Sequence, residues 1–455
     1  MAVVFERFRK ARQDKRERAA LDHLIDDVRQ LMTARGESNS IAIATRALAH
    51  YRELGNDAVQ RFFDVLATEY DPDPEAVLAV ARQYAETRSP EAQIELGRLS
   101  ESPRQKLLRR LNLAEGGTGE LVAMRVRLLE RLRRDPSLRA VDADFHHLLS
   151  SWFNPGFLQL AEVSWNSPAR LLEKIIHHEA VHAIDGWADL RRRLEPDRRC
   201  FAFFHPALPD EPLIFVEVAL LEEIPSAVAP LLDRKAAQQV DPEAFRVAAF
   251  YSISNCQPGL RGVNLGNFLI KQVADRLKTQ FPKLKTFCTL SPIPGFAGWL
   301  AKVETLESER VKPAVLGELQ AGLDGLRERY GKDWSAIEQP APEAEADPSA
   351  EAKAAAEARA AAKRLAADRE ILQRLCAFYL MGTVARSGDP VARFHLNNGA
   401  RLERINPAAD LSRKGLKQSH GLMVNYLYDL DRIEANHERF ISGTVAASRS
   451  VASMV

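Results

Sequence analysis

Apolar residues recur at helical spacing through the first third of the chain. Leu21, Leu24, Ile25, Val28 and Leu31 fall on one face of a helix, the three-to-four-residue period of an amphipathic segment. Val59, Phe62, Phe63, Val65 and Leu66 repeat the pattern, and Leu107, Leu108, Leu111 and Leu113 repeat it again. Breakers separate these runs: Asp71-Pro72-Asp73-Pro74, Ser102-Pro103, Gly116-Gly117 and Asp135-Pro136. Residues 1–155 therefore read as an all-α helical bundle, whose usual work is packing or oligomerisation. His146-His147, beside Phe145, reads as a packing feature at its edge. The pattern changes after Trp152-Phe153-Asn154-Pro155-Gly156. Ser167-Pro168 opens a helix that runs through Leu171, Leu172, Ile175 and Ile176 toward Gly186. Short apolar runs then predict strands over Cys200–Phe204, Leu213–Leu220, Ala248–Ser254 and Thr286–Leu290, the first two paired as a hairpin. A glycine-containing turn and a helix over Leu265–Leu277 separate the last two. Residues 156–455 thus read as an α/β domain on a mixed sheet, and the whole chain as α+β. Its Pro/Ala/Glu-rich tract near 339–368 reads as a low-complexity insertion, flexible at first and then a solvated helix.

Composition narrows the function. The chain has 455 residues, 46% apolar and 27% charged, enough to bury a sizeable core. Lys and Arg number 63 against 62 Asp and Glu, without the basic excess of a nucleic-acid binder. No run approaches the 18 or so apolar residues of a membrane span. The four cysteines, Cys200, Cys256, Cys288 and Cys376, are too scattered for a disulfide framework or a zinc knuckle. No secretory leader is evident, and the expected location is the reducing cytoplasm.

Three segments carry candidate chemistry. His178-Glu179-Ala180-Val181-His182 fits the zinc-protease pattern, in which two histidines four apart share a helix face and the glutamate is general base. The bland alternative is an ordinary amphipathic helix. The turn Gln257 to Gly266 follows a strand and opens a helix, where backbone amides and the helix dipole favour a pyrophosphate. Its spacing, Arg261-Gly262-x-x-Leu265-Gly266-x-x-Leu269-Ile270, resembles the acyl-CoA loop of the GCN5-related acetyltransferase fold, although such a turn can also be purely structural. Ser291, in LSPIPGF, sits just past a strand, and His395 lies in FHLNNGA; residues far apart in sequence can meet as an acid–base pair.

Taken together, RRCFAFFHP (198–206), EPLIFVEVAL (211–220), FYSISN (250–255), GLRGVNLGNFLIK (259–271), LSPIPGF (290–296), FHLNNGA (394–400) and GLMVNYLY (421–428) resemble the malonyl-CoA decarboxylase family, in the family's order. The resemblance implies a helical domain over 1–155 used in oligomerisation, as a homotetramer. It implies an acetyltransferase-like catalytic domain over 156–455 that takes malonyl-CoA to acetyl-CoA, with no metal and no cofactor. Ser291 and His395 would be the catalytic pair, with Tyr428 as a hydrogen-bonding residue. Gly259, Arg261, Gly262, Val263, Leu265 and Gly266 would hold the CoA pyrophosphate, and Ser254 would contact substrate. Some family members carry Glu where this chain has Asn264, a position in the polar network near the histidine. The chemistry is self-consistent: loss of CO2 leaves a thioester enolate, so the substrate's own carbonyl is the electron sink. Two further activities stay open on the residues alone, an acyl-CoA-dependent N-acyltransferase and the zinc peptidase. A non-catalytic CoA-binding protein is a third reading.

Overall fold

The computed structural model describes residues 2–34, 38–233, 241–263, 265, 269–331, 334, 351–382 and 388–455. The chain forms two compact units, one of Met1–Gln159, Phe203–Leu213 and Cys256–Gly266, the other of Leu160–Ala202, Ile214–Asn255 and Asn267–Val455.

The first unit is helical: α1 (Ala2–Leu31), α2 (Ser40–Arg52), α3 (Asn56–Glu69), α4 (Pro74–Thr87), α5 (Pro90–Ser100), α6 (Pro103–Leu111), α7 (Gly117–Arg131) and α8 (Arg139–Trp152). Helices begin where the sequence supplies caps. Asp73 accepts the Glu75 and Ala76 amides ahead of α4, and Ser89 accepts the Ala92 amide ahead of α5, each followed by a proline whose missing N–H costs nothing there. The periodic residues Leu24, Val28, Leu31, Val59, Phe62, Phe63, Leu66, Leu107, Leu108 and Leu111 are all buried. Leu113 lies past the end of α6 and is half-exposed, because the helix stops before its turn comes round.

The second unit is built on one sheet, in the order β1-β2-β3-β4-β5-β8-β6, with β7 paired to β8. The strands are β1 (Gln159–Val163), β2 (Arg198–Phe204), β3 (Ile214–Leu221), β4 (Val247–Asn255), β5 (Thr286–Thr289), β6 (Ser291–Pro292), β7 (Arg401–Asn406) and β8 (Met423–Leu427). All four expected strands are present within a residue or two, and further strands form, among them β7, in the mainly polar run RLERIN, and β8, in MVNYL. β3 and β4 run antiparallel over their full length, with a bulge at Glu217/Val218. β4 and β5 run parallel but pair only from Val247–Thr286 to Phe250–Thr289. Beyond Phe250, residues Tyr251–Asn255 have no strand partner on the β5 side among the described residues. This opening of a central parallel pair creates a cleft inside an otherwise continuous sheet.

The helix expected to run toward Gly186 stops early. Helix α9 spans Ala169–His178, and a separate helix α10 spans Gly186–Arg193. The cause is local: the Glu179 carboxylate accepts the Val181 and His182 amides and bonds the Ser252 and Ser254 hydroxyls of β4. A side chain that satisfies those amides removes the reason for them to stay helical. The low-complexity tract lies partly outside the described residues. From Glu351 the chain is helix to Gly382, and past the tract Leu372, Leu375, Cys376 and Leu380 of the same helix are fully buried.

Candidate active site

β5 ends at Thr289, and after Leu290 the chain re-enters the sheet as Ser291 and Pro292, paired to Val424 and Met423 of β8. Ser291 is thereby fixed at the point where the parallel pair opens. Facing it is the short helix α11 (Pro390–Asn397), which carries His395. The sequence Asp389-Pro390 starts it: Asp389 accepts the Val391 and Ala392 amides, and proline takes the first helical position.

The two side chains meet. Ser291 Oγ lies 3.0 Å from His395 Nε2 and donates to Thr289 Oγ1 at 2.9 Å. His395 Nδ1 lies 2.8 Å from the Tyr428 hydroxyl. All three residues are buried. The hydrogens follow from the donor count. The single Ser291 proton is given to Thr289, so Nε2 carries hydrogen and donates to Ser291, while Nδ1 is bare and accepts from Tyr428. Burial pushes the His395 pKa down to about 3 and the Tyr428 hydroxyl well above its ordinary value, so both are neutral at physiological pH. Tyr426 stacks on the imidazole, centroids 4.6 Å apart, and excludes water from one face.

A cleft of about 350 Å³ opens beside this relay, lined among others by Val216, Phe250, Ser252, Ile253, Ser291 and His395. Its wall is mainly apolar, with few polar groups, the composition of a small-molecule site. Ser254 is buried with its hydroxyl engaged by the Ala180 amide and Glu179; its neighbour Ser252 is the one that lines the cleft.

The glycine turn belongs to the first unit. Pro258–Leu260 is a single 3-10 turn, packed so closely that a Cβ on Gly259 would overlap the Val122 carbonyl. Arg125, buried in α7, donates to the Gly259 and Arg261 carbonyls at 2.9 Å each, and His146 Nε2 lies 3.0 Å from the Gly262 carbonyl. The edge histidine thus has a specific partner. The amides of Leu260, Arg261 and Val263 donate within the turn, and Gly262 takes a left-handed φ of +83°. Asn264 and Gly266 lie outside the described residues; Val263 and Leu265 are buried.

The zinc reading fails on geometry. His178 ends α9, Glu179 is spent on its amides and serines, and His182 lies beyond the helix, so the two histidines do not share a helix face. Among the described residues no group of three or more His, Cys, Asp or Glu is arranged to hold a metal ion.

Sequence reasoning did not reach Thr289, Asp389 or Tyr426. Two of these had a signal. Asp-Pro ahead of an apolar run is a helix start, and Thr289 lies two residues from Ser291, on the same face of an extended chain.

Fold and relay together define a class: an enzyme with a mixed-sheet unit, and a neutral serine–histidine–tyrosine chain where that sheet opens. The signature of the malonyl-CoA decarboxylase C-terminal domain matches residues 156–455, and that of the N-terminal domain matches residues 70–153. The mitochondrial malonyl-CoA decarboxylase of Anser anser anser is 37% identical over 364 residues, covering 78% of this chain and 70% of its own; that of Rattus norvegicus is also 37% identical, over 372 residues. The crystal structure of malonyl-CoA decarboxylase from Rhodopseudomonas palustris superposes with a TM-score of 0.79 at 44% identity, covering 95% of this chain and 99% of that one. The Agrobacterium vitis structure gives 0.78 at 45%, with the same coverage. The chain belongs to the malonyl-CoA decarboxylase family, and it is an enzyme of the carboxy-lyase class.

Proposed function

We propose that this chain decarboxylates malonyl-CoA through a thioester enolate, with Ser291 and His395 as the acid–base pair and Tyr428 behind them. The observation that carries the reading is the continuous chain of hydroxyl, imidazole and hydroxyl at the edge of an apolar cleft. The thioester lies along the open edge of Tyr251–Asn255, with the carboxylate turned out of the carbonyl plane so that the breaking bond overlaps the carbonyl π-system. CO2 leaves and its electron pair becomes the enolate. The apolar wall favours this step, because it solvates a compact carboxylate worse than a delocalised enolate. Ser291 then turns from Thr289 and gives its proton to the methylene carbon. The Nε2 proton of His395 passes to Ser291, and the Tyr428 proton passes to Nδ1. Nδ1 then returns its proton to Tyr428, whose neutral form burial strongly favours, and the one proton that the reaction consumes enters at Nε2 of His395, so that all three groups regain their starting forms. A positioned acid–base relay of this kind contributes about 100- to 10,000-fold.

The same reading assigns Gly259, Arg261, Gly262, Val263, Leu265 and Gly266 to the CoA pyrophosphate, Asn264 to the polar support and Ser254 to the substrate side. It divides the chain into a helical oligomerisation domain over 1–155 and a catalytic domain over 156–455. The homotetramer is favoured by Leu78 and Ile94, which α4 and α5 leave more than half exposed, and the cytoplasm by four buried cysteines outside any disulfide.

The test is acetyl-CoA formation from malonyl-CoA by the purified protein in excess EDTA and in D2O. Chelator-resistant product bearing one deuterium on the methyl group is expected. Bound CoA without product would overturn the assignment, and transfer of an acyl group to an amine would favour the acyltransferase.

A further inference from the structure

Asp389 is completely buried, yet it makes no contact with the cleft. Its two carboxylate oxygens serve different parts of the chain. Oδ1 accepts the Val391 and Ala392 amides at 2.9 and 3.0 Å, the first turn of the helix that carries His395. Oδ2 accepts the Gly295 amide at 2.7 Å. Gly295 closes the run Ser291-Pro292-Ile293-Pro294-Gly295, in which two prolines fix φ and leave little freedom between the catalytic hydroxyl and the anchored amide. Position 295 has to be glycine, since a Cβ there would overlap the Tyr379 hydroxyl and crowd Asp389. One carboxylate therefore holds the rigid serine run with one oxygen and the histidine helix with the other.

We infer that Asp389 is a positioning residue that sets the Ser291–His395 separation by clamping the two segments to one another. The inference rests on the catalytic role proposed for that pair. Its physical basis is that charge-assisted amide bonds are short and strong. A misplacement of about 1 Å in reacting groups costs roughly 100-fold in rate.

Asp389→Ser separates the two functions of the carboxylate. Serine is a good helix cap and keeps the first turn of the histidine helix, but it is too short to reach Gly295. Asp389→Asn is the isosteric control: with its oxygen on the helix amides, its NH2 faces the Gly295 N–H, donor against donor. Both variants should lose about 10- to 100-fold in kcat, keep KM for malonyl-CoA within about twofold, and bind CoA as the parent does by calorimetry. In the Ser291→Ala background, Asp389→Ser should cost nothing more, since residues acting through one unit are non-additive. Parental kcat in either variant overturns the inference. So does a loss of kcat that is matched by loss of CoA binding, or one that adds in full to Ser291→Ala. Should one variant fail to fold, the other reads the same quantities. Failure of the underlying reading has its own sign, parental turnover in Ser291→Ala itself.

Discussion

A histidine buried between two hydroxyls behaves differently from one in water. Desolvation takes the His395 pKa to about 3, so imidazolium is absent across the working range and the ring serves as a neutral conduit whose resting tautomer is set by its two hydroxyl partners. Two outcomes follow at this scale. Ser291→Ala and His395→Ala should each lower kcat about 100- to 10,000-fold while CoA still binds, measured by single-turnover assay and calorimetry; parental rates in either variant would remove the pair from the chemistry. The pH profile of kcat/KM should show no acid limb at the ordinary histidine pKa near 6.5. An inflection there that disappears in His395→Gln would mean that the ring titrates in the free enzyme. Ser291, His395 and Tyr428 were legible as residues because LSPIPGF, FHLNNGA and GLMVNYLY are distinctive strings. Thr289, which decides the hydrogen pattern, was not, because a threonine in a strand looks like any β-branched residue. Its importance comes from the register that places Ser291 beside it.

At the scale of elements, the strands were legible as apolar runs with turn residues between them, and the early helices as periodic runs between prolines and glycines. What escaped was tertiary override. HEAVH has the composition of a helix, and Ser252 and Ser254 on a strand more than seventy residues away end it by bonding Glu179. Likewise, nothing in GLRGVNLG says that its carbonyls are held by an arginine over 130 residues earlier. Arg125 is buried, salt-bridged to Asp142 at 2.8 Å, and donates to two carbonyls of the turn. Hydrogen bonds from a charged donor are worth about 1.5–3 kcal/mol each. If this turn holds the CoA pyrophosphate, Arg125→Met should raise KM for malonyl-CoA about 10-fold or more, with kcat changed by less than a few-fold. Arg125→Lys should recover part of the loss, since an ammonium can meet one carbonyl but not hold the planar fork. Steady-state kinetics decide it: an unchanged KM in the Met variant would leave the turn a structural feature only.

The whole molecule carries a consequence of burying neutral imidazoles. Besides His395, His182 is buried with its pKa lowered to about 4, again chiefly by desolvation. Once unfolded, both return to near 6.5. Below that pH the unfolded chain binds protons that the folded chain refuses, so stability falls with acidity from about pH 6.5 down to the folded values of about 4 and 3, and neither group contributes a slope above pH 6.5. One such group is worth about 1.4 kcal/mol per pH unit inside its window, so each removes about 2 kcal/mol by pH 5. Glu217 acts in the opposite sense. Complete burial raises it to about 8, and its contribution is present below about pH 4.5 and lost as pH rises toward 8. A single stability curve therefore mixes the two, and the difference between parent and His395→Gln isolates the histidine, because Glu217 is common to both. The second unit holds both histidines and four of the five tryptophans, Trp165, Trp187, Trp299 and Trp334, so urea titrations followed by tryptophan fluorescence report on the right part of the chain. Between pH 7 and pH 5 the parent should lose about 2 kcal/mol more than His395→Gln. Parallel curves over that range would mean that His395 takes up its proton in the folded state, and the neutral relay would have to be abandoned with it.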